Sequence, residues 1–105
     1  MKLGTLIAIA DKSIPCALYM NTGANGYRFN FKTDSWDKTP LTRDKVTTIR
    51  ALRDHTLYKT IIGYTLVTFA IQKTESLAGF TDEEKKEIPK VLCISIVKEG
   101  RTILK

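Results

Sequence analysis

Histidine is nearly missing from this 105-residue chain: His55 stands alone. A general base needs a positioned partner and something to act on, and no second catalytic group accompanies it. Asp54 precedes it, but successive residues on a helix point about 100° apart, so Asp54 does not orient its neighbour. A cationic histidine at a helix C-terminus is favoured by the macrodipole. The sequence therefore predicts a helix-ending His55 and no enzyme, with a catalytic site near His55 ranking third among the readings. Ser13, Ser35, Ser76 and Ser95 lack the elbow motif of a nucleophile.

Cysteine is almost as scarce. Cys16 and Cys93 are the only two, too few for the four ligands of a structural zinc and too far apart for a redox pair. Each sits in an apolar run, where a free thiol behaves as a small hydrophobe. Buried, unlinked thiols in a reducing cytoplasm are expected, with a single bridge between them as the alternative. Asp34 and Asp37 bracket Trp36, but two carboxylates without a glycine fall short of a calcium loop. No metal and no cofactor is expected.

Long hydrophobic runs are missing too. The apolar, uncharged stretch Thr60–Gln72 is shorter than the roughly 20 residues of a spanning helix. The opening "MKLGTLIAIADKSIPC" imitates a targeting segment, but Asp11-Lys12 interrupts its short apolar run and Pro15 argues against a lipoprotein cleavage site. A buried first strand over Leu3–Ala10 is expected instead, and no membrane partner.

What is present in excess is positive charge. Seventeen Lys and Arg against eleven Asp and Glu give a net charge of +6 and a pI near 9.4. Residues 1–74 carry eleven basic and five acidic side chains, while 75–105 carry six of each. A basic first part suggests an anionic partner facing it, set against the plain alternative of a solvated, soluble surface.

Composition is that of a globular domain, and no repeat or linker divides residues 1–105. "NTGANGYRFNF", Asn21–Phe31, contains Asn25-Gly26, the preferred dipeptide of a two-residue type I′ hairpin turn with positive φ at both positions. That turn pairs Met20 with Phe31 and Leu18 with Thr33, placing Leu18, Met20, Phe29 and Phe31 on one face. Tyr19, Asn21, Arg28, Asn30 and Lys32 take the other. No Gly-Lys-Ser/Thr follows, so a phosphate loop lacks its context. Thr39-Pro40 reads as the cap and first position of a helix to about Asp54, with Val46, Ile49 and Leu52 as its apolar stripe. Leu57–Lys73 is rich in β-branched residues and reads as strand, bent or broken at Gly63, with an apolar helix as the competing reading. Thr81 and Glu84 form a capping-box pattern for a short helix Asp82–Ile88 that Pro89 stops. Val91–Val97 is a buried strand, turned at Glu99-Gly100 into a last strand Arg101–Leu104 that pairs Ile103 with Ile96. The expected fold is α+β in the order βββαβαββ: an antiparallel sheet of five to six strands, one main helix across one face and a short second helix.

Function then rests on recognition surface. Arg43, Arg50 and Arg53 lie on the expected main helix, Arg28 and Lys32 on the polar face of the hairpin, and Lys38 and Lys59 in or near connections. Trp36, in a polar loop, is either a lid over the core edge or an anchor for a partner, since tryptophan is enriched among interface hot spots. The leading expectation is a small non-enzymatic cytoplasmic protein that occupies an acidic surface of a partner protein. This is the profile of accessory, regulatory or inhibitor proteins, including many that viruses encode. The alternative is a nucleic-acid-binding domain using the basic face. "YRFNF" suits base stacking in pattern, but the hairpin register turns Phe29 and Phe31 into the core and leaves Tyr19 and Tyr27 as stacking groups.

Overall fold

The computed structural model describes residues 2–21, 26–38, 40–61 and 66–97. Among the described residues six strands form one sheet: β1 Pro15–Asn21, β2 Gly26–Asn30, β3 Ser35–Lys38, β4 Thr47–Thr48, β5 Leu66–Lys73 and β6 Lys90–Val97. The described residues also form four short helices: α1 Leu3–Ile9, α2 Ile49–Asp54, α3 Thr56–Ile61 and α4 Asp82–Glu87. The strands run in the order β3-β2-β1-β6-β5, with β4 paired to β1 off this path.

The expected first strand is a helix. Leu3, Leu6 and Ile7 recur at i, i+3 and i+4 and are buried, whereas Thr5, Ala8 and Ile9 face outward. That is the stripe of a helix lying on a sheet, hidden within a run apolar enough to pass for a strand buried on both faces. The sheet is also mixed rather than antiparallel throughout. β1 runs parallel to β6 from Cys16↔Leu92 to Met20↔Ile96, while β5 runs antiparallel to β6 from Leu66↔Val97 to Lys73↔Lys90. Parallel pairing joins strands distant in sequence, and a local pattern cannot announce it.

The hairpin forms in a different register. Tyr19 pairs with Arg28, Met20 with Tyr27 and Asn21 with Gly26, so Met20 does not oppose Phe31. Thr22–Asn25 lie outside the described residues. Gly26 is a strand residue without positive φ, and its lack of a side chain serves another end. A Cβ there would lie 2.7 Å from Cε1 of Tyr19, whose ring crosses the strand at that point. The shift leaves the facing intact because side chains alternate with period two. Leu18, Met20 and Phe29 are buried on the inner face, and Tyr19 and Arg28 stand on the outer one.

The expected main helix is broken up. Thr39 lies outside the described residues, Arg43–Lys45 is a single 3₁₀ turn, and Thr47-Thr48 pairs with Pro15 and Cys16. Only then does α2 begin, with the Thr48 hydroxyl accepting from the Ala51 N–H at 3.2 Å. Val46, Ile49 and Leu52 are all buried, but in different places. Val46 joins an outer cluster with Ala17, Leu41, Phe80, Ile88, Val91 and Cys93. Ile49 and Leu52 join an inner one with α1, Ile61 of α3 and the inner faces of the long strands. A single helix cannot serve both sides of a sheet, so the chain crosses between them at β4.

α3 extends the helical segment to Ile61, which places Leu57–Ile61 with the competing helical reading and leaves the strand to Leu66–Lys73. Gly63 lies outside the described residues. The capping box is present in full: the Glu84 N–H donates to Thr81 Oγ1 at 3.2 Å, and the Thr81 N–H to Glu84 Oε1 at 2.9 Å. β6 forms where expected. Residues 101–104 lie outside the described residues, and Ile96 is already flanked by Met20 and Val67. β5 is one outer edge of the sheet; its inner-face Phe69 and Ile71 lie beyond the helices and are 50% and 68% exposed.

Candidate functional site

The fold disperses the basic residues singled out by sequence. Arg28 stands on the outer face of the sheet. Arg50, Arg53 and Lys59 are exposed on α2 and α3, whose apolar stripes pack on the inner face. Lys32 is exposed in the turn after β2 and Lys38 at the end of β3. Arg43 is engaged inside the molecule, its Nη2 3.2 Å from Glu87 Oε1 and its Nη1 donating to the Val46 carbonyl at 3.3 Å. Lys45 is buried, its Nζ donating to the carbonyls of Lys38 at 3.0 Å and Pro40 at 2.8 Å. Arg53 reaches Asp54 at 3.8 Å, a pair too exposed to bind much energy. The Arg50 N–H donates to the Lys12 carbonyl at 3.0 Å, so exposed Lys12 joins the helix cations from a distant turn. Trp36 is half-buried on β3, edge-on to Phe29 with ring centroids 5.2 Å apart, at the margin of the inner core.

His55 ends α2, as expected, and its orienting partner is a residue the sequence separates from it. Its Nε2 lies 2.9 Å from Asp34 Oδ1, and its Nδ1 accepts the Leu57 N–H at 3.0 Å. The backbone donor fixes the neutral ring with its proton on Nε2, and that proton faces Asp34. Asp34 holds this position with φ 55, a left-handed conformation that aspartate tolerates. Among the described residues no group of three or more His, Cys, Asp or Glu side chains is placed to hold a metal ion. Cys16 and Cys93 are buried free thiols. Burial pushes the Cys16 thiol up to about 12, with the nearby Cys93 adding to the shift. No helix among the described residues is long and apolar enough to cross a membrane.

Four lysines that the sequence did not single out converge on one groove. A groove of about 640 Å³ is lined by Lys73, Glu75, Asp82, Lys85, Lys86, Pro89 and Lys90. Lys73 and Lys90 are directly opposed across β5 and β6. Like charges in that position are destabilising, and neither lysine makes an ion pair among the described residues. The groove is built by Thr74, whose buried hydroxyl donates to the Ile88 carbonyl at 2.7 Å, and by the Thr74 N–H, which donates to the Pro89 carbonyl at 3.0 Å. These bonds tie the end of β5 to the link between α4 and β6. Counting charges by halves of the chain hides this site, because Lys73 comes from the basic part and the other lysines from the neutral one. Compared with known proteins, the chain matches no family model, no curated protein and no solved structure.

Proposed function

We propose that the protein is a non-enzymatic binding protein that docks on an acidic segment of a partner protein through the Lys73–Lys90 groove. The observation that carries this reading is that Lys73 and Lys90, directly opposed and without an ion pair among the described residues, stand on the wall of a groove of about 640 Å³. A carboxylate from a partner relieves their repulsion, and Lys85 and Lys86 across the groove extend the complementary field. Glu75 and Asp82 in the same lining favour a protein over nucleic acid. They meet the basic residues of a mixed-charge peptide, whereas a run of phosphates would be repelled. No aromatic side chain lines the groove to stack a base. The reading keeps the protein in a reducing cytoplasm, supported by the free thiols of Cys16 and Cys93.

The test is a pull-down with tagged protein, run with and without nuclease. Lys73→Glu/Lys90→Glu is expected to lower partner recovery by roughly tenfold, as loss of electrostatic complementarity does. Arg50→Glu/Arg53→Glu is expected to leave it near the wild-type level. Recovery that depends on intact nucleic acid, or that only the arginine reversal removes, contradicts the reading.

A further inference from the structure

A row of side chains crosses the outer face of the sheet in strict register. Arg28 on β2 pairs with Tyr19 on β1, Tyr19 with Ser95 on β6, and Ser95 with Thr68 on β5. The row floors a trough of about 280 Å³ that Gln72 and Cys93 extend. The outer cluster around Leu41, Phe80 and Ile88 covers the neighbouring Ala17, Val91 and Cys93. Tyr19 and Ser95, further along the same strands, remain part-exposed.

Arg28 is the anomaly in this row. Its guanidinium carbon sits 5.2 Å from the centroid of the Tyr19 ring. Gly26 makes the perch available by leaving room for that ring. Nε and Nη1 of Arg28 are shut off from solvent without a hydrogen-bond acceptor. The carboxylate directly across from it, Asp37 on β3, is held elsewhere: Asp37 Oδ2 accepts from Asn30 Nδ2 at 2.9 Å. Arg43 and Arg53 each form an ion pair, and Arg28 forms none among the described residues. A shielded guanidinium without an ion pair bears a desolvation penalty that the Tyr19 ring offsets only in part. Burial raises the Cys93 thiol, and Arg28 beside it pulls the thiol partway back through its charge and a side-chain hydrogen bond.

We propose that this trough is a binding site for a compact oxyanion, a phosphate or carboxylate group, held by Arg28 with hydroxyl donors from Ser95 and Thr68. A guanidinium is suited to either group, and the hydroxyls supply the further donors that a second oxygen needs. The trough holds no acidic side chain to compete. The site is separate from the lysine groove and stands or falls without it.

The experiment is a two-dimensional NMR titration of the whole chain with inorganic phosphate in one arm and acetate in the other. Saturable shifts are expected at the Arg28 Nε–H and at the Ser95 and Thr68 amides. Saturation by phosphate alone identifies a phosphate-bearing ligand, by acetate alone a carboxylate, and by both a site that takes either group. Arg28→Gln is expected to weaken binding by about tenfold or more, as loss of a charge-assisted donor does. Should that variant disturb the sheet, Thr68→Val/Ser95→Ala keeps Arg28 in place and is expected to weaken binding by a few-fold. Lys73→Glu/Lys90→Glu is expected to leave it unchanged. The absence of saturable shifts at the row, or shifts that persist unchanged in Arg28→Gln, overturns the proposal.

Discussion

Asp34 and His55 meet at 2.9 Å, tying the turn after β2 to the junction of α2 and α3. The ring also stands edge-on to Phe29 and Phe31, with centroids 5.6 and 5.9 Å away. Both ring nitrogens are hydrogen-bonded, so the pair pins the turn to the helix junction. Asp34→Asn keeps an acceptor and a side chain that tolerates φ 55, and is expected to cost little. Asp34→Val removes both, at an expected cost of about 1–3 kcal/mol. Urea unfolding of the two variants checks this; equal midpoints would show that neither the bond nor the turn conformation matters.

Gly26 supplies a second test, because its role is steric. Gly26→Ala is expected to cost about 1–3 kcal/mol by forcing the Tyr19 ring off the strand. Adding Tyr19→Ala is expected to cancel most of that extra cost. If Gly26→Ala is as damaging in the Tyr19→Ala background as in wild type, backbone conformation and not the ring is the cause.

The lysines divide into a buried prop and solvated surface charges. Lys45→Met leaves the Lys38 and Pro40 carbonyls without their donor and is expected to cost about 1–3 kcal/mol. Lys32→Ser and Lys59→Ser, at exposed positions, are expected to stay within about 0.5 kcal/mol of wild type. Thermal melts of all three suffice, and a Lys45→Met protein as stable as the others contradicts the burial.

Cys16 gives stability a pH dependence with a definite sign. Its folded pKa, about 12, lies above the ordinary value of 9.0. The unfolded thiol therefore ionises first. The stabilising contribution of the neutral, buried thiol is whole below pH 9 and is lost as pH rises through the window to about 12. The expected slope approaches about 1.4 kcal/mol per pH unit within that window. Cys16→Ala removes this contribution, so its stability is expected to fall less steeply with alkali. Parallel alkaline profiles for the two proteins would refute the assignment.

What the sequence made legible was local and periodic. The Thr81–Glu84 box and the run Val91–Val97 carry their instructions within a few residues, and both are realised. The two faces of the hairpin were legible as well, because Leu18, Met20 and Phe29 alternate with Tyr19 and Arg28 whichever even register forms. The register itself was not, since Asn25-Gly26 suggested a two-residue turn while Gly26 serves the Tyr19 ring. Leu3–Ile9 failed for a different reason: a one-sided helical stripe and a two-sided strand look alike when the intervening residues are Ala and Ile. Val46, Ile49 and Leu52 have helical spacing yet serve opposite faces of the sheet, and only the pairing of β4 with β1 reveals the crossing. The candidate sites were the least legible part. Lys73 meets Lys90, and Arg28 joins Ser95 and Thr68, through strand pairings between distant segments.

The central claim is that Lys73 and Lys90 form the docking site for an acidic protein segment. The most direct measurement is quantitative mass spectrometry of proteins recovered with the tagged chain after nuclease treatment, comparing wild type, Lys73→Glu/Lys90→Glu and Lys32→Glu/Lys38→Glu. A defined set of acidic partners is expected to fall by roughly tenfold with the groove variant and to persist with the β3-edge variant, as loss of one complementary patch requires. The same partners recovered equally by all three proteins would contradict the account.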